Sequence, residues 1–361
     1  MEVLKEMPRR DPINGTFELT VRCNLKCKMC LFRHDDSENA EIIAKEKTAK
    51  EWIDMARQVA EAGTINLLIT GGEPMLRPDF CEIYEGIYKQ GFIIELYTNA
   101  TLVNDKIMKT LSKYPPHKIG VTLYGASSQT YEKVCGNAKA FDKTIEGIKR
   151  LNQLPSILEI RTTLIKDNVH DIDKIEDIAN ELIGEKAHVV HSEHVLKPVR
   201  GANGKVENCR LTPKENLQLT LDRNEKRIKS FFDERNMDMN HIEYAYSLNK
   251  SKDENKRITL LGCKAGMDSY TISWDGKLLG CQILGKFYTE PMKYGFKGAW
   301  MQYPMQINLP NKNKKCFECS YSDYCSTCCA IHYAETGDLS GCPSYFYDTA
   351  KELKNLINKN T

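Results

Sequence analysis

Three cysteines near the start of the chain, Cys23, Cys27 and Cys30, have a spacing suited to metal chemistry. Three thiolates on a loop that leaves a predicted strand can bind three irons of a [4Fe–4S] cluster, so that the fourth iron stays open to another ligand. Zinc is the alternative, but a structural zinc site takes four ligands, and His34 is a candidate fourth by sequence distance alone. The spacing therefore favours an iron–sulfur cluster.

A second group of cysteines lies toward the end of the chain. Of the 14 cysteines, eight fall between residues 263 and 342. In a reducing compartment, clustered cysteines are typical of metal ligands or catalytic thiols rather than disulfides. The sequence therefore predicts two metal-binding regions, one near each end of the chain.

Charge and hydropathy exclude several classes of protein. The 51 basic and 49 acidic residues leave a net charge of +2, without the basic excess of a nucleic-acid-binding protein. The N-terminal residues contain no apolar run long enough for a signal peptide, and no stretch approaches the ~20 apolar residues of a membrane span. We therefore expect a cytoplasmic protein with neither a nucleic-acid nor a membrane partner.

Strand and helix patterns alternate six times in the first part of the chain. This alternation predicts parallel βαβ units. Six units are fewer than the eight of a closed barrel, so the expected α/β fold is a partial (β/α)6 TIM-type barrel over residues 1–197. The rest is predicted to form a bridging segment (198–258), a small cysteine-rich domain (259–345) and a C-terminal helix (346–361). The predicted strands are 16–21, 65–70, 92–98, 118–123, 157–165 and 187–195.

Two motifs together resemble the radical S-adenosylmethionine (SAM) superfamily. They are Cys23-x3-Cys27-x2-Cys30 after the first strand and Gly71-Gly72-Glu73-Pro74 at the end of the second. The resemblance implies that the backbone of 71–74 and the Glu73 carboxylate meet the α-amino group of SAM. Glycines let backbone approach a ligand, and a carboxylate accepts from an ammonium.

The same resemblance implies further SAM contacts. Met29 stands where the family usually has an aromatic residue against adenine, and a Met sulfur can pack on a ring. Asn99, Thr122 and Arg161 match family positions at strand ends more loosely, with an ordinary strand-end polar residue as the alternative. Arg161 would pair with the SAM carboxylate.

The chemistry implied by the family is radical chemistry. SAM chelates the open iron, the reduced cluster cleaves its C–S bond, and the 5′-deoxyadenosyl radical abstracts a substrate hydrogen. A flavodoxin- or ferredoxin-type protein would supply the electron under anaerobic conditions. Cys135 and Cys209 are candidate thiols that could give a hydrogen atom to a substrate radical, with a buried structural thiol as the alternative.

The C-terminal cysteines resemble the SPASM extension of this superfamily, which usually houses two auxiliary [4Fe–4S] clusters. Three [4Fe–4S] clusters are therefore implied in all. Two alternatives remain for the fourth position of the proximal auxiliary cluster: the iron has no protein ligand there, or the distant Cys209 binds it. In addition, Cys328 could be the ligand in place of Cys329. The implied ligands are Cys263, Cys281 and Cys329 for the proximal cluster, and Cys316, Cys319, Cys325 and Cys342 for the distal one.

SPASM enzymes mostly modify peptides or proteins. The resemblance implies a maturase of ribosomally synthesised peptides that forms an oxidative cross-link or thioether, or epimerises a residue. The alternative is an anaerobic sulfatase-maturating type Ser/Cys oxidase, and a third possibility is a non-catalytic metal-binding scaffold. Because only 22 residues precede Cys23, we expect a separate leader-peptide-recognition protein, or the barrel and bridging segment, to bind the substrate.

Overall fold

The computed structural model describes residues 9–184, 187–192, 194–233, 260–261, 263–307 and 314–360. Six parallel strands follow one another across a sheet, each beside the strand that precedes it in sequence. Successive βα units produce this order, so the predicted partial barrel is confirmed. The strands are β1 (Asn14–Glu18), β2 (Asn66–Thr70), β3 (Ile93–Thr98), β4 (Lys118–Thr122), β5 (Ile157–Thr163) and β6 (His188–Ser192).

Helices connect these strands and pack on one face of the sheet. Trp52 of the second helix packs on Phe17 of β1, with ring centroids 5.0 Å apart. Because side chains alternate along a strand, Glu18 points the other way, into the barrel. The helices are α1 (Asn39–Lys45), α2 (Ala49–Glu61), α3 (Phe80–Tyr88), α4 (Asp105–Lys113), α5 (Ser128–Cys135), α6 (Ala140–Leu151) and α7 (Ile172–Ile183).

The first strand begins and ends earlier than predicted, at Asn14–Glu18 rather than 16–21. Its bounds are set by pairing with β2, where Asn14 lies opposite Asn66. The alternation over 16–21 suggested a half-buried strand, but Glu18 and Thr20 are also buried. Both faces are covered because the barrel interior closes over the inward side chains.

The C-terminal part of the chain extends the same sheet. The strand β7 (Ser269–Ile272) pairs in parallel with β1, and β8 (Leu278–Leu279) and β9 (Tyr288–Thr289) follow as antiparallel neighbours. Tyr270, Thr271 and Ile272 therefore belong to the sheet of the barrel. The remaining helices of the described ranges are α8 (Pro213–Asp233), α9 (Pro291–Gln306), α10 (Lys314–Phe317), α11 (Cys329–Thr336) and α12 (Ser344–Asn360).

The later helices pack on one another. Asn216 Nδ2 of α8 donates to the Tyr345 hydroxyl of α12 at 3.2 Å, and the Arg210 guanidinium lies 3.8 Å from the Tyr345 ring centroid. Residues 234–258 of the predicted bridging segment lie outside the described residues, and the predicted domain boundaries stay predictions. In the part of the chain that the structure describes, no helix combines the length and the apolar character needed to span a bilayer.

Candidate functional site

The loop that carries the first three cysteines, residues 23–30, is called the cysteine loop below. It follows β1 and rests on the last turn of α5. The Lys26 N–H donates to the Cys135 carbonyl at 2.8 Å, and the Lys28 N–H donates to the Val134 carbonyl at 3.0 Å. Carbonyls at the end of a helix have no partner within the helix, so this loop supplies their donors. The end of α5 thereby fixes the position of the cysteine loop.

The three thiols of the cysteine loop share a water-poor environment. Burial, followed by the charge of Glu73, raises the pKa of Cys23, and burial with the neighbouring Cys27 raises the pKa of Cys30 to about 11. Ionising all three thiols without a cation would therefore be costly. An iron–sulfur cluster supplies that positive charge, and three thiolates are the ligands it prefers. The donor set fits the predicted cluster.

The glycines of the 71–74 motif allow two chain segments to touch. A Cβ on Gly71 would lie 2.3 Å from the Thr20 carbonyl oxygen, and one on Gly72 would lie 2.3 Å from the Arg22 carbonyl oxygen. The Gly72 N–H donates to the Thr20 carbonyl at 2.7 Å. The motif therefore lies directly beside the residues that lead into Cys23.

The carboxylate of Glu73 is fully buried and already has protein donors. The Asn99 N–H donates to Oε2 at 2.7 Å, the Met75 N–H donates to Oε1 at 3.0 Å, and the Thr98 hydroxyl donates at 2.9 Å. Burial raises the pKa of Glu73 to about 7 in spite of these hydrogen bonds. Glu73 thus joins the ends of β2 and β3, and its contact with the SAM ammonium stays a prediction.

Of the looser SAM positions, Asn99 lies closest to the cysteine loop. Its Nδ2 donates to Asn24 Oδ1 at 2.9 Å and contacts Cys23 Sγ at 3.7 Å. Thr122 and Arg161 lie on strands β4 and β5, opposite each other in the sheet register. Met29, in contrast, is buried in the apolar core.

Arg161 is already engaged within the barrel. Its guanidinium pairs with Glu159 and lies 4.5 Å from the ring centroid of Tyr97. Lys118 and His188 also contact Glu159, so this end of the barrel interior is a network of charges. Pairing of Arg161 with a SAM carboxylate stays a prediction.

The two candidate thiols outside the metal motifs are both buried. Cys135 lies behind the cysteine loop, where a side-chain hydrogen bond to it is the largest cause that raises the pKa of Cys27. The thiol of Cys209 donates to the Val206 carbonyl at 3.4 Å, near Asp167 and Lys28. Hydrogen-atom donation by either thiol to a substrate radical stays a prediction, as does the alternative of a buried structural thiol.

One residue of this region, Arg200, was not predicted from the sequence. Arg200 has a positive φ of 57°, binds both oxygens of Glu18 at 2.8 Å, and lies 4.0 Å from the Phe32 ring centroid. It fills the space beside Gly285, where a Cβ would lie 2.5 Å from its Cγ. No local pattern marks such a residue, because its partners come from three distant parts of the chain.

The C-terminal cysteines form two groups. In the distal group, repulsion from Cys342, Cys325 and Cys319 adds to burial in raising the pKa of Cys316. In the second group, called proximal, burial followed by repulsion from neighbouring thiols raises the pKa of Cys329 to about 11. The distal group contains Cys316, Cys319, Cys325 and Cys342, and the proximal group contains Cys263, Cys281, Cys328 and Cys329.

Apart from Cys328, the cysteines grouped in this way are those that the resemblance implies as ligands. Among the described residues, no three Cys, His, Asp or Glu side chains converge as the ligands of one metal ion do. Thiolates that hold a cubane cluster stand at its corners, and are therefore farther apart. Cys209 is not among the residues that act on the proximal thiols. Metal ligation by either group stays a prediction.

Comparison with known proteins gives a family and a fold. Residues 17–179 match the Radical SAM superfamily. The AdoMet-dependent heme synthase of Methanosarcina barkeri is 28% identical over 334 residues, which are 89% of this chain and 92% of that protein. The antilisterial bacteriocin subtilosin biosynthesis protein AlbA of Bacillus subtilis is 24% identical over 326 residues, 88% of this chain and 67% of AlbA.

The fold is shared with a solved structure. Streptococcus suis SuiB bound to S-adenosylmethionine superimposes with a TM-score of 0.67 at 19% identity, over 94% of this chain and 78% of SuiB. The complex of SuiB with the precursor peptide SuiA gives a TM-score of 0.64 at 18% identity, over 92% of this chain and 75% of SuiB.

Residues 17–179 therefore form a radical SAM domain, on the partial barrel that carries the cysteine loop. The chain is a radical SAM enzyme, and its fold continues beyond this domain into a cysteine-rich C-terminal part. Use of SAM and an iron–sulfur cluster follows from this membership.

Proposed function

We propose that this enzyme oxidatively modifies a peptide substrate, with three [4Fe–4S] clusters in one chain. The observation that carries the proposal is the pair of four-cysteine groups at the C-terminal end, in addition to the cysteine loop. Auxiliary clusters near a substrate can accept the electron that remains after hydrogen abstraction, which favours a two-electron-oxidised product such as a cross-link or thioether. The likeness to AlbA supports a peptide substrate.

The chain's own residues would position these groups. When bound to the cysteine loop, the reduced cluster and SAM supply the radical that removes a substrate hydrogen. Cys23, Cys27 and Cys30 would hold three irons, and the backbone of 71–74 would meet the SAM amino group. Glu73 holds that backbone in place through Met75 and Asn99. The apolar core behind these partly buried thiols would keep water from the cluster.

The ion pairs in the barrel interior are consistent with a substrate peptide that carries few charged groups. Arginines around the cysteine loop and strand ends already have carboxylate partners in the structure. A substrate with several carboxylates would have to displace these partners or find other cations. The pairs are Arg22–Glu46, Arg77–Asp79, Arg161–Glu159 and Arg200–Glu18.

A tetrapyrrole substrate is the second candidate, because the Methanosarcina heme synthase aligns over 92% of its own length. A tetrapyrrole with carboxylate side chains would need cations at the mouth of the barrel. The two candidates therefore differ in the charge that the site must accommodate, and product analysis distinguishes them.

The test uses protein reconstituted with iron and sulfide under anaerobic conditions, SAM and a chemical reductant. One arm contains a candidate precursor peptide, such as any short peptide encoded beside the gene, and another contains an iron porphyrin with carboxylate side chains. Peptide modification predicts 5′-deoxyadenosine together with a peptide that has lost two hydrogens, or has taken up solvent deuterium if it is epimerised. Conversion of the tetrapyrrole without any change in the peptide would favour the second candidate.

The matched control is Cys23→Ala/Cys27→Ala/Cys30→Ala, which removes the expected ligands of the radical cluster. This variant should form no 5′-deoxyadenosine and leave both substrates unchanged. Equal product from this variant would overturn the assignment of the reaction to the cysteine loop.

A further inference from the structure

We propose that Glu46 is a positioning residue for SAM binding. Its carboxylate holds residues 19–22, the lead-in segment to Cys23, against the 71–74 motif. Glu46 acts through this segment and does not itself touch SAM or the cluster. The role rests on the proposed function, because it requires that the backbone of 71–74 meets the SAM amino group.

The side chain of Glu46 binds two residues of the lead-in segment. Glu46 lies in the turn between α1 and α2, and its side chain is only 7% exposed. The Arg22 guanidinium donates to its two oxygens from Nε and from Nη2, each at 2.9 Å. The Thr20 hydroxyl donates to the same carboxylate. A bidentate pair fixes orientation as well as distance, so this carboxylate sets the direction of both side chains.

The backbone of the same two residues contacts the 71–74 motif. The Gly72 N–H donates to the Thr20 carbonyl at 2.7 Å, and the Glu73 N–H donates to the Arg22 carbonyl at 2.9 Å. Thr20 and Arg22 therefore each bind Glu46 through the side chain and the motif through the carbonyl. A displaced carboxylate at position 46 would shift both carbonyls, and the backbone of the motif would shift with them.

Arg77, just after the motif, joins the same buried cluster. Its side chain is 5% exposed and lies 3.5 Å from Glu46, from Nη1 to Oε2. It also donates to the Leu19 carbonyl at 3.0 Å and to the Lys47 carbonyl at 2.9 Å. Asp79 accepts from Nε at 2.9 Å and from Nη2 at 2.7 Å. The cluster thus pairs two guanidinium groups with two carboxylates, and loss of one carboxylate would leave a buried positive charge unbalanced.

The test measures SAM binding by the reconstituted full chain under anaerobic conditions, using equilibrium dialysis. Glu46→Gln keeps the shape of the side chain but loses the charge and one acceptor oxygen. We expect its SAM dissociation constant to rise at least ~10-fold, with the iron content of wild type. In the reduced protein, the change that SAM causes in the EPR spectrum should need correspondingly more SAM.

Glu46→Asp is a second variant, which keeps the charge but draws the carboxylate back by one carbon. Its SAM dissociation constant should also rise, because the position of the carboxylate matters as well as its charge. It keeps the experiment decisive if Glu46→Gln fails to fold or to bind iron.

Glu335→Gln is the matched control, because Glu335 forms a buried ion pair with Arg210 elsewhere in the chain, at 2.9 Å from Oε1 to Nη1. Both Gln substitutions should lower the free energy of unfolding of the apoprotein, measured by urea denaturation. Only Glu46→Gln should weaken SAM binding. A purely structural role for Glu46 would not produce this difference.

Arg22→Gln tests whether Glu46 acts through the lead-in segment. If it does, the double variant Arg22→Gln/Glu46→Gln should bind SAM no more weakly than Glu46→Gln alone, because the two residues belong to one unit. Losses of affinity that simply add in the double variant would contradict action through Arg22.

Two further results would overturn the positioning role. One is an unchanged SAM affinity in both Glu46 variants while Gly72→Ala binds SAM more weakly, which would leave the proposed contact of 71–74 with SAM intact. The other is an equal loss of affinity in Glu46→Gln and Glu335→Gln, since general destabilisation would then be the cause. Unchanged affinity in Gly72→Ala as well would refute the SAM contact of the motif itself.

Discussion

Arg200 binds both carboxylate oxygens of Glu18, each at 2.8 Å, and so connects the chain after β6 to the inward face of β1. These two strands are separated by four others in the sheet. The segment around Arg200 also follows the end of the cysteine loop, because the Val199 N–H donates to the Leu31 carbonyl at 3.0 Å. One buried ion pair thus fixes the cysteine loop relative to the far side of the barrel.

We predict that Arg200→Lys lowers the free energy of unfolding of the apoprotein by about 1–3 kcal/mol, measured by urea denaturation. Lysine keeps the charge but loses the bidentate geometry and the planar contact with Phe32. The control is Arg9→Lys, because Arg9 pairs with Asp11 at the surface and should change stability by less than ~1 kcal/mol. Equal effects of the two substitutions would contradict a structural role for the Arg200–Glu18 pair.

The second prediction concerns the pH dependence of stability. The pKa of Glu73 is about 7 in the folded chain, above its ordinary value of 4.5, so folding is favoured when this group holds its proton. Its contribution is fully present below about pH 4.5 and is lost as pH rises through 7. Between pH 5 and 8, the apoprotein should therefore lose up to ~3 kcal/mol relative to Glu73→Gln.

Urea denaturation of both proteins across this range measures that difference. The two curves should separate progressively above about pH 4.5, and their difference should level off above pH 7. Curves that run parallel from pH 5 to 8 would show that Glu73 has an ordinary pKa in the folded state.

Substitution of Gly72 by Ala should weaken SAM binding. The added Cβ would meet the Arg22 carbonyl oxygen at 2.3 Å, and backbone atoms cannot yield as a flexible side chain does. We expect the SAM dissociation constant of the reconstituted enzyme to rise at least ~10-fold, or about 1.4 kcal/mol, measured by equilibrium dialysis. Gly298→Ala is the control, since its nearest atom would be 3.7 Å away; a similar loss there would rule out this explanation.

Removal of the Cys135 thiol should change the cluster held by the cysteine loop. The Cys135 and Cys27 side chains share a hydrogen bond. Once Cys27 binds iron as a thiolate it can only accept, so Cys135 would be the donor, and hydrogen bonds to ligand sulfurs help to set cluster potentials. We expect a more negative reduction potential in Cys135→Ala than in wild type, by EPR-monitored redox titration. Cys135→Ser keeps a donor and should stay closer to wild type. A potential that does not move in either variant would show that Cys135 only fills space.

The order of strands in the barrel could be predicted from sequence because it follows local rules. Apolar strands that alternate with amphipathic helices place each parallel strand beside the preceding one. The capping box formed by Thr48 and Glu51 can likewise be recognised from the sequence. The cysteine spacing likewise lies within eight residues. Such features need no knowledge of distant contacts.

The rest depends on contacts between distant parts of the chain. The pairing of β7 with β1 leaves no local trace beyond a short β signal. The charge partner of Arg200 and the donors to Glu73 are likewise set by the fold. Because the adjacent Cys328 and Cys329 fit the same spacing motif, the sequence leaves open which of the two is a ligand.

The pairing of β1 with β7 also has a consequence for the order of assembly. Asn14 lies opposite Ser269, so this strand pairing joins residues that are 255 positions apart in the sequence. Contacts with long spans form slowly, and a ribosome delivers Ser269 only after the rest of the barrel has emerged. Until then β1 has an unpaired edge beside the cysteine loop. We therefore expect iron–sulfur loading of the nascent barrel to compete with aggregation through that edge.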